Sequence, residues 1–597
     1  MRDTRFDVWA PKATRMRVRI EQDTYEMLRD RGDWWRPVDL PELLGELDYG
    51  YLIDDEETVT PDPRSRRQPA GVHGPSRTFD AGAYEWQDEQ WRGRQLAGGI
   101  IYELHIGTFT PDGTLDAAID RLDHLVDLGV DFVEPMPVNA FNGDVGWGYD
   151  GVYWYAVHEP YGGPAAYQRF VDACHQRGLG VIQDVVYNHL GPSGNYLGKF
   201  GPYVSSRHQT DWGDAINVDD FDSDEVRRYI IDNALMWVTD FHVDGLRLDA
   251  VHALIDTRAT HILEELANEV EARSAFLGRP LALIAESDMN APRLISPRAA
   301  GGYALTGQWS DDFHHAAHVS LSGEDDGYYE DFAQTAGHGL GALEKVFTQG
   351  FFHNGAMSTF RRRHHGRPLG PGAYAWRLVV STQNHDQIGN RARGDRLSEK
   401  LSVEQLAVGA TLMMCSPFTP MLFMGEEWGS TTPFQYFSSH PEPELAEAVS
   451  RGRVAEFSRM GWDESQVPDP QNPDTFRDSR LDWMELDGPE RQWLLGVYKQ
   501  LIRLRRERPQ LTWPWLRDVS AKALPELGVF TFWRGDLEIV CNFSDSACDL
   551  ELDVDVAWTS HEELPEVVFT TDAGVTVDGT HAHLPAHSAA VFAPRAE

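Results

Sequence analysis

From residue 100 onward the apolar positions switch repeatedly between two periods, and the switching predicts strand followed by helix many times over. "GIIYELHI" (99–106) has the short apolar run of a strand. In "TLDAAIDRLDHLVDLG" (114–129), Leu115, Ile119, Leu122, Leu125, Val126 and Leu128 fall mostly on one helical face, and Gly129 closes the segment. Further strands are predicted at 130–137, 179–189, 243–252, 281–287, 306–315, 378–386 and 419–428, with helices at 164–178, 224–242 and 261–276. Eight strands alternating with helices favour a closed (β/α)8 barrel of the TIM type over an open doubly wound sheet. No G-x-G-x-x-G follows an early strand, which argues against a dinucleotide fold.

The flanks read differently. Residues 1–90 hold short β-forming runs such as "FDVWAP", "RMRVRI" and "GYLIDD", broken by Pro11, Pro41 and Gly50, and predict a small β-sandwich. The proline-rich stretch from Thr60 to Ser76 is read as a structured connection. Helical periodicity ends near residue 515, and "GVFTFWRG", "LEIVCNFS" and "AAVFAP" predict a C-terminal antiparallel β-domain. The expected architecture is multidomain, α/β and β: a sandwich over 1–90, a barrel with loop insertions over 91–515, and a β-domain over 516–597. A chain of 597 residues agrees, because it exceeds what one core usually serves.

A net charge of −41 argues against a nucleic-acid or anionic-membrane partner, since either would repel the protein. Cys174, Cys415, Cys541 and Cys548 are too few and too scattered for a disulfide framework or metal cluster. The N-terminus lacks an apolar leader run and no stretch offers about 18 unbroken apolar residues, so the expectation is a soluble cytoplasmic protein.

The candidate chemistry lies at strand ends, where a barrel of this type keeps its active site. Four predicted strands end in polar clusters: "DVVYNH" (184–189), "GLRLDAVH" (245–252), "IAESD" (284–288) and "QNHDQIG" (383–389). Period-two alternation points Arg247 and Asp249 one way and Leu246, Leu248 and Ala250 the other. A guanidinium beside Asp249 favours the ionised, fixed carboxylate that suits a nucleophile. Glu286 follows the apolar run "LALIA", where desolvation favours the protonated form that suits a general acid. Two carboxyl groups in such contrasting surroundings are what glycoside hydrolysis needs, and a separation of about 5 to 5.5 Å implies a covalent intermediate with retained configuration. Asp386, between His385 and Gln387, can hold sugar hydroxyls.

These four segments resemble the four short sequence regions of the α-amylase family of glycoside hydrolases, over about residues 100 to 430. The resemblance implies Asp249 as nucleophile, Glu286 as proton donor and Asp386 as transition-state stabiliser. It matches Arg247, His189 and His385 to sugar-contacting positions and Tyr149, in "GWGYDG", to the aromatic beneath the sugar at the cleaved bond. The N-terminal sandwich resembles the immunoglobulin-like, carbohydrate-binding domain that precedes the barrel in branching and debranching members. "PAGVHGPS", "FNGDVGWGYDGV", "YNHLGPSGNYL", "QWSDDFHHAAH" and "NHDQIGNRARGDRL" resemble the members that cut the α-1,4 bond next to the terminal trehalose of maltooligosyltrehalose.

That likeness implies three substrate-binding runs. They are Arg247, Leu248, Ala250, Val251 and His252 around Asp249; Asp311, Asp312, Phe313, His314 and His315; and His385, Gln387, Ile388, Gly389 and Asn390 around Asp386. Maltooligosyltrehalose and related α-glucans are then the substrates, and a maltooligosyltrehalose synthase the functional partner of a monomer. The alternative is a glycogen-branching enzyme. Its third region usually has a second glutamate after the acid and its fourth a "HDE", whereas Ser287 and Gln387 stand here. Many amylases bind calcium through the residue matching Asn188. Asp211, Asp214, Asp219 and Asp220 in the next loop lack the spacing of a calcium loop, so no metal or other cofactor is expected.

Overall fold

Eight parallel strands close into a barrel: β1 (Ile101–Leu104), β2 (Phe132–Pro135), β3 (Gly180–Val185), β4 (Gly245–Leu248), β5 (Ala282–Ala285), β6 (Gly307–Trp309), β7 (Leu378–Val380) and β8 (Thr419–Phe423), with β8 paired back to β1. The computed structural model describes residues 4–370, 372–459, 466–553 and 564–595. Each strand coincides with a predicted one, because alternating apolar runs and glycine-closed helices are strong local signals.

Ile101, Phe132, Ile182, Ile284, Trp309, Val379 and Met421 form one buried cluster that fills the barrel interior. Two residues further along four of these strands the inward position carries charge: Glu103 beside Glu134, and Asp184 beside Arg247. Leu246 and Leu248, on the other face of β4, join the main core with Val226, Ile230, Leu263 and Leu266 of the surrounding helices. The predicted alternation on this strand is therefore the observed one.

Two predicted strands are shorter than expected. The 243–252 stretch is a strand only over Gly245–Leu248; Ala250 then takes a left-handed φ of 38°, which costs an L-residue about 1 kcal/mol or more and turns the chain sharply at the barrel mouth. The 306–315 stretch is a strand only over Gly307–Trp309, and Asp311 begins the helix Asp311–Ser322. Its two consecutive aspartates suit the positive N-terminal end of a helix, a local preference that overrides the strand reading.

At the N-terminus, six short antiparallel strands pair in the order Val8–Trp9, Trp34–Pro37, Asp23–Arg29, Met16–Ile20, Asp48–Ile53 and Ser76–Arg77. At the C-terminus a five-stranded sheet faces a three-stranded one, and Val529, Trp533, Val540, Leu550, Leu584 and Phe592 pack between them. The other face of the larger sheet reaches the barrel's shell, where Phe347 meets Phe530 and Phe532 at ring distances of 5.1 and 4.7 Å. Part of the predicted C-terminal β-domain, 554–563, lies outside the described residues. The four cysteines are free and buried, and no described helix is long and apolar enough to cross a membrane.

A buried carboxylate ties the connection before β1 to the opposite end of the barrel from the charged layer. Asp244 Oδ1 accepts from Arg279 Nη1 at 2.7 Å and from Trp91 Nε1 at 2.8 Å, while Oδ2 accepts from the backbone N–H of Val181 and faces His175 Nε2, both at 2.9 Å. His175 in turn meets Asp88 at 2.9 Å. Asp244→Ala leaves Arg279 and His175 without their shared partner, and is expected to destabilise the protein by about 3 to 5 kcal/mol. The check is chemical denaturation; a loss below about 1 kcal/mol would show that the cluster is replaceable.

Candidate active site

The charged layer continues past the ends of β3, β4 and β5 into a connected site. Arg247 is fully buried over the Trp309 ring, 4.3 Å from its centroid. Its Nη1 donates to both oxygens of Asp184 at 3.0 Å and to Asp249 Oδ1 at 2.7 Å, and its Nη2 lies 3.8 Å from Glu286 Oε2. One guanidinium thus faces the carboxyl groups of three successive strands. The second oxygen of Asp249 accepts from Asn188 Nδ2 at 2.7 Å, so both its oxygens are held.

Glu286 is in different surroundings. The backbone N–H of Ala250, turned inward by that left-handed φ, donates to Glu286 Oε2 at 2.6 Å, while Oε1 has no hydrogen bond among the described residues. Burial pushes the Glu286 carboxyl up to about 8; Asp249, Asp386 and Asp311 add to the shift and Arg247 opposes it. The group keeps its proton through neutral pH, and with Oε2 accepting from Ala250 the proton sits on Oε1.

Tyr149 and His385 form the opposite wall. The Tyr149 hydroxyl donates to Asp184 Oδ2 at 2.7 Å and meets His385 Nε2 at 2.8 Å, and the two rings stack at 5.2 Å. Asp386, 40% exposed, is the most open of the three central carboxylates and lies 3.5 Å from His385 Nε2. His189 bonds Asn188 through Nδ1 and meets the Tyr149 carbonyl through Nε2 at 3.0 Å. The Asp311 side chain makes no hydrogen bond among the described residues and stands at the mouth, where burial, Asp386 and Asp288 push its carboxyl up to about 7.

The expected sugar-binding runs divide. Tyr149, His189, Arg247, Asp249, Glu286, Asp311, His385 and Asp386 come together, with His252 exposed beyond them at the end of the same turn and Asn390 near Asp386, Nδ2 to Oδ1 3.4 Å. Leu248, Val251, Phe313 and Ile388 instead place their side chains in the core, a correction to the reading of these runs as continuous contact surfaces. Ala250 acts through its N–H and Gln387 takes part in a helix cap with Asn384. Asp312 turns away to accept from Asn290 Nδ2 and from the backbone N–H groups of Phe352 and His353 at 2.7 to 3.0 Å. His314 faces the Thr382 carbonyl and the Tyr329 hydroxyl, and His315 packs on Tyr328 and Phe332. At Gly389 any Cβ would stand 2.1 Å from the Trp147 ring, so glycine is required by close approach.

Sequence reasoning missed three residues. Glu103 and Glu134 sit inside apolar runs, the same signal that singled out Arg247. Trp212 had no signal of its own: it lies at the tip of the hairpin Val204–Ile216 and stacks on His189 at 4.6 Å, with the rings 5° from parallel. Beyond Asn390 the site opens into a cavity of about 650 Å³ lined by Tyr328, Phe360, Arg391 and Arg393.

A closed parallel barrel whose mouth gathers an Arg-held aspartate, a buried glutamic acid and a third open carboxylate is that of the α-amylase class of glycoside hydrolases. The family profile described as the alpha amylase catalytic domain matches residues 81–214. A Rhizobium sp. (strain M-11) protein named malto-oligosyltrehalose trehalohydrolase is 55% identical over 98% of this chain and 97% of its own. One of the same name from Arthrobacter ramosus is 60% identical over 90% and 92%. The crystal structure of an amylase-like protein from Salmonella typhimurium is 35% identical, covers 98% of this chain and 97% of its own, and superposes with a TM-score of 0.88. The chain belongs to the malto-oligosyltrehalose trehalohydrolase family.

Proposed function

We propose that the protein hydrolyses the α-1,4-glucosidic bond next to the terminal trehalose of maltooligosyltrehalose, releasing trehalose and a shortened maltooligosaccharide with retained anomeric configuration. The observation that carries the chemistry is the single Arg247 guanidinium facing both Asp249, whose two oxygens are held, and Glu286, whose carboxyl burial pushes up, in one site. The full-length likeness to trehalohydrolases supports the substrate.

Asp249, held by Arg247 and Asn188, attacks the anomeric carbon of the glucose joined to trehalose. As the C1–O bond breaks, Glu286 passes the proton on Oε1 to the departing trehalose oxygen. The resulting glycosyl ester is hydrolysed by a water whose proton returns to Glu286, restoring both groups. Asp386 stabilises the positive charge that develops on the ring. Tyr149 and His385 line the sugar at the cleaved bond, and His189, Arg247, His252, Asp311, Gln387 and Asn390 hold its hydroxyls and those of its neighbours.

Because Glu286 must enter the cycle protonated and its affinity for the proton is raised to about 8, kcat/KM is expected to fall on the alkaline side as pH passes that value. A pH–rate profile flat to about pH 9.5 would contradict the assignment of the acid.

The substrate is tested by comparing maltooligosyltrehalose with amylose of equal chain length. The reading requires a kcat/KM at least about tenfold higher on the trehalose-ended chain, or about 1.4 kcal/mol of transition-state preference. New α-1,6 branches with no free trehalose would identify a branching enzyme instead. The reading also takes the protein as a cytoplasmic monomer of three domains, 1–90, 91–515 and 516–597, that acts on the product of a maltooligosyltrehalose synthase and needs no metal or cofactor.

A further inference from the structure

Beneath the proposed sugar-binding residues, two glutamates stand side by side on β1 and β2, and only one of them is engaged. Glu103 reaches up to the loop after β7: its Oε2 accepts from the backbone N–H of His385 at 3.0 Å and its Oε1 meets the ring Nδ1 at 2.6 Å. Its register neighbour Glu134 is buried with neither oxygen hydrogen-bonded among the described residues, and burial followed by Glu103 and Asp184 pushes its carboxyl well up. Burial and the neighbouring carboxyl groups thus disfavour a charge on Glu134.

His385 lies between opposite influences from every element around it. Glu103 on β1 faces Nδ1, while Tyr149, Asp184 on β3 and Asp386 on its own helix lie on the Nε2 side. Arg247 on β4 acts against a charge on the ring, while burial and then His385 itself push the neighbouring His105 ring, just past β1, down to about 3. Trp147 and Trp309 enclose it edge-on and at a tilt, 5.7 and 6.0 Å away. The Tyr149 hydroxyl donates to Asp184 and so accepts from Nε2, which leaves Nδ1 to donate to Glu103.

We propose that Glu103, which touches neither sugar nor reacting atoms, is the positioning residue that fixes His385 as a donor at both ring nitrogens, so that Nε2–H is presented beside Asp386 throughout the cycle. Against the opposing effect of burial, Asp386 and Glu103 push the His385 ring up to about 9, in keeping with that role. The role deepens the trehalohydrolase reading and rests on it.

The test is Glu103→Gln, which keeps the shape and one of the two accepted hydrogen bonds, puts an NH2 group where the second oxygen stood, and removes the charge. With Glu103 neutralised, the ring's midpoint should fall to about 6.5 or below. The doubly protonated fraction then drops about 30-fold at pH 8 but less than about twofold at pH 5.5, and the loss of kcat relative to wild type should follow the same pH dependence. Two measurements read this: kcat against pH on maltooligosyltrehalose, and the ring titration of His385 in ¹⁵N-histidine-labelled enzyme, assigned with His385→Asn. In the double variant with His385→Asn, Glu103→Gln should add no further loss.

A uniform loss at all pH values, an unmoved His385 titration, or full additivity in the double variant would each overturn the proposal. If Glu103→Gln does not fold, Glu103→Asp carries the test: the charge withdrawn by one methylene should still lower the His385 midpoint, and an unchanged midpoint overturns the role. The titration needs no substrate. A wild-type enzyme that releases no trehalose would therefore sink the functional reading while leaving this measurement standing.

Discussion

Asp249→Asn is expected to lower kcat on maltooligosyltrehalose by about 10³ to 10⁴-fold while KM moves by less than about tenfold. The amide is nearly isosteric and its oxygen can still accept from Arg247, so substrate binding survives. It is a poor nucleophile and cannot form the glycosyl ester that the mechanism requires. Its NH2 group would also face Asn188 Nδ2, two donors meeting where a donor and an acceptor met before. Turnover within about tenfold of wild type would remove Asp249 from the role of nucleophile, and Asp386 would be the next carboxylate to examine.

Glu286→Gln is expected to cost about 10² to 10⁴-fold on the same substrate, for a separable reason. Glutamine can accept from the Ala250 N–H as Glu286 does, but it has no proton to give the departing trehalose oxygen. An α-glucosyl fluoride needs no such proton, because fluoride leaves unaided, so the first step should stay within about tenfold of wild type on that substrate. The alkaline fall near pH 8 should vanish with the residue that causes it, leaving the later fall that His385 sets near 9. Equal losses on fluoride and oligosaccharide would mean that Glu286 holds structure or substrate and is not the acid.

Much of this was legible in the sequence because a barrel makes position informative. Arg247 and Asp249 stood out as charges in an apolar strand, and period-two alternation pointed them together toward the barrel mouth, where Arg247 bonds Asp249. The same reasoning applied to "IIYELHI" and "VDFVEPMP" would have found Glu103 and Glu134, since both break an apolar run at an inward position. What hid them was the lack of a neighbouring polar cluster like those at the ends of β3, β4 and β5.

Other features had no one-dimensional signature. Asp312 looks as available as Asp311, yet one helical step turns its carboxylate from the mouth to a loop some 40 residues later in the chain. Leu248, Val251, Phe313 and Ile388 belong to runs that reach the site, but their side chains belong to the core. Trp212 reaches His189 only because a hairpin folds back, a contact between segments that no spacing rule encodes. The turn at Ala250 was equally hidden: a left-handed alanine is recognisable only from its φ, and its N–H is what holds Glu286.

The most direct test of the central claim is to follow maltooligosyltrehalose hydrolysis by proton NMR from the first minutes. The expected result is free trehalose in equal amount with a maltooligosaccharide shorter by those two units, whose new reducing end forms first as the α-anomer and only later equilibrates. A β-anomer at first formation would exclude the covalent route through Asp249, and glucose, maltose or branched glucan in place of trehalose would contradict the assigned reaction.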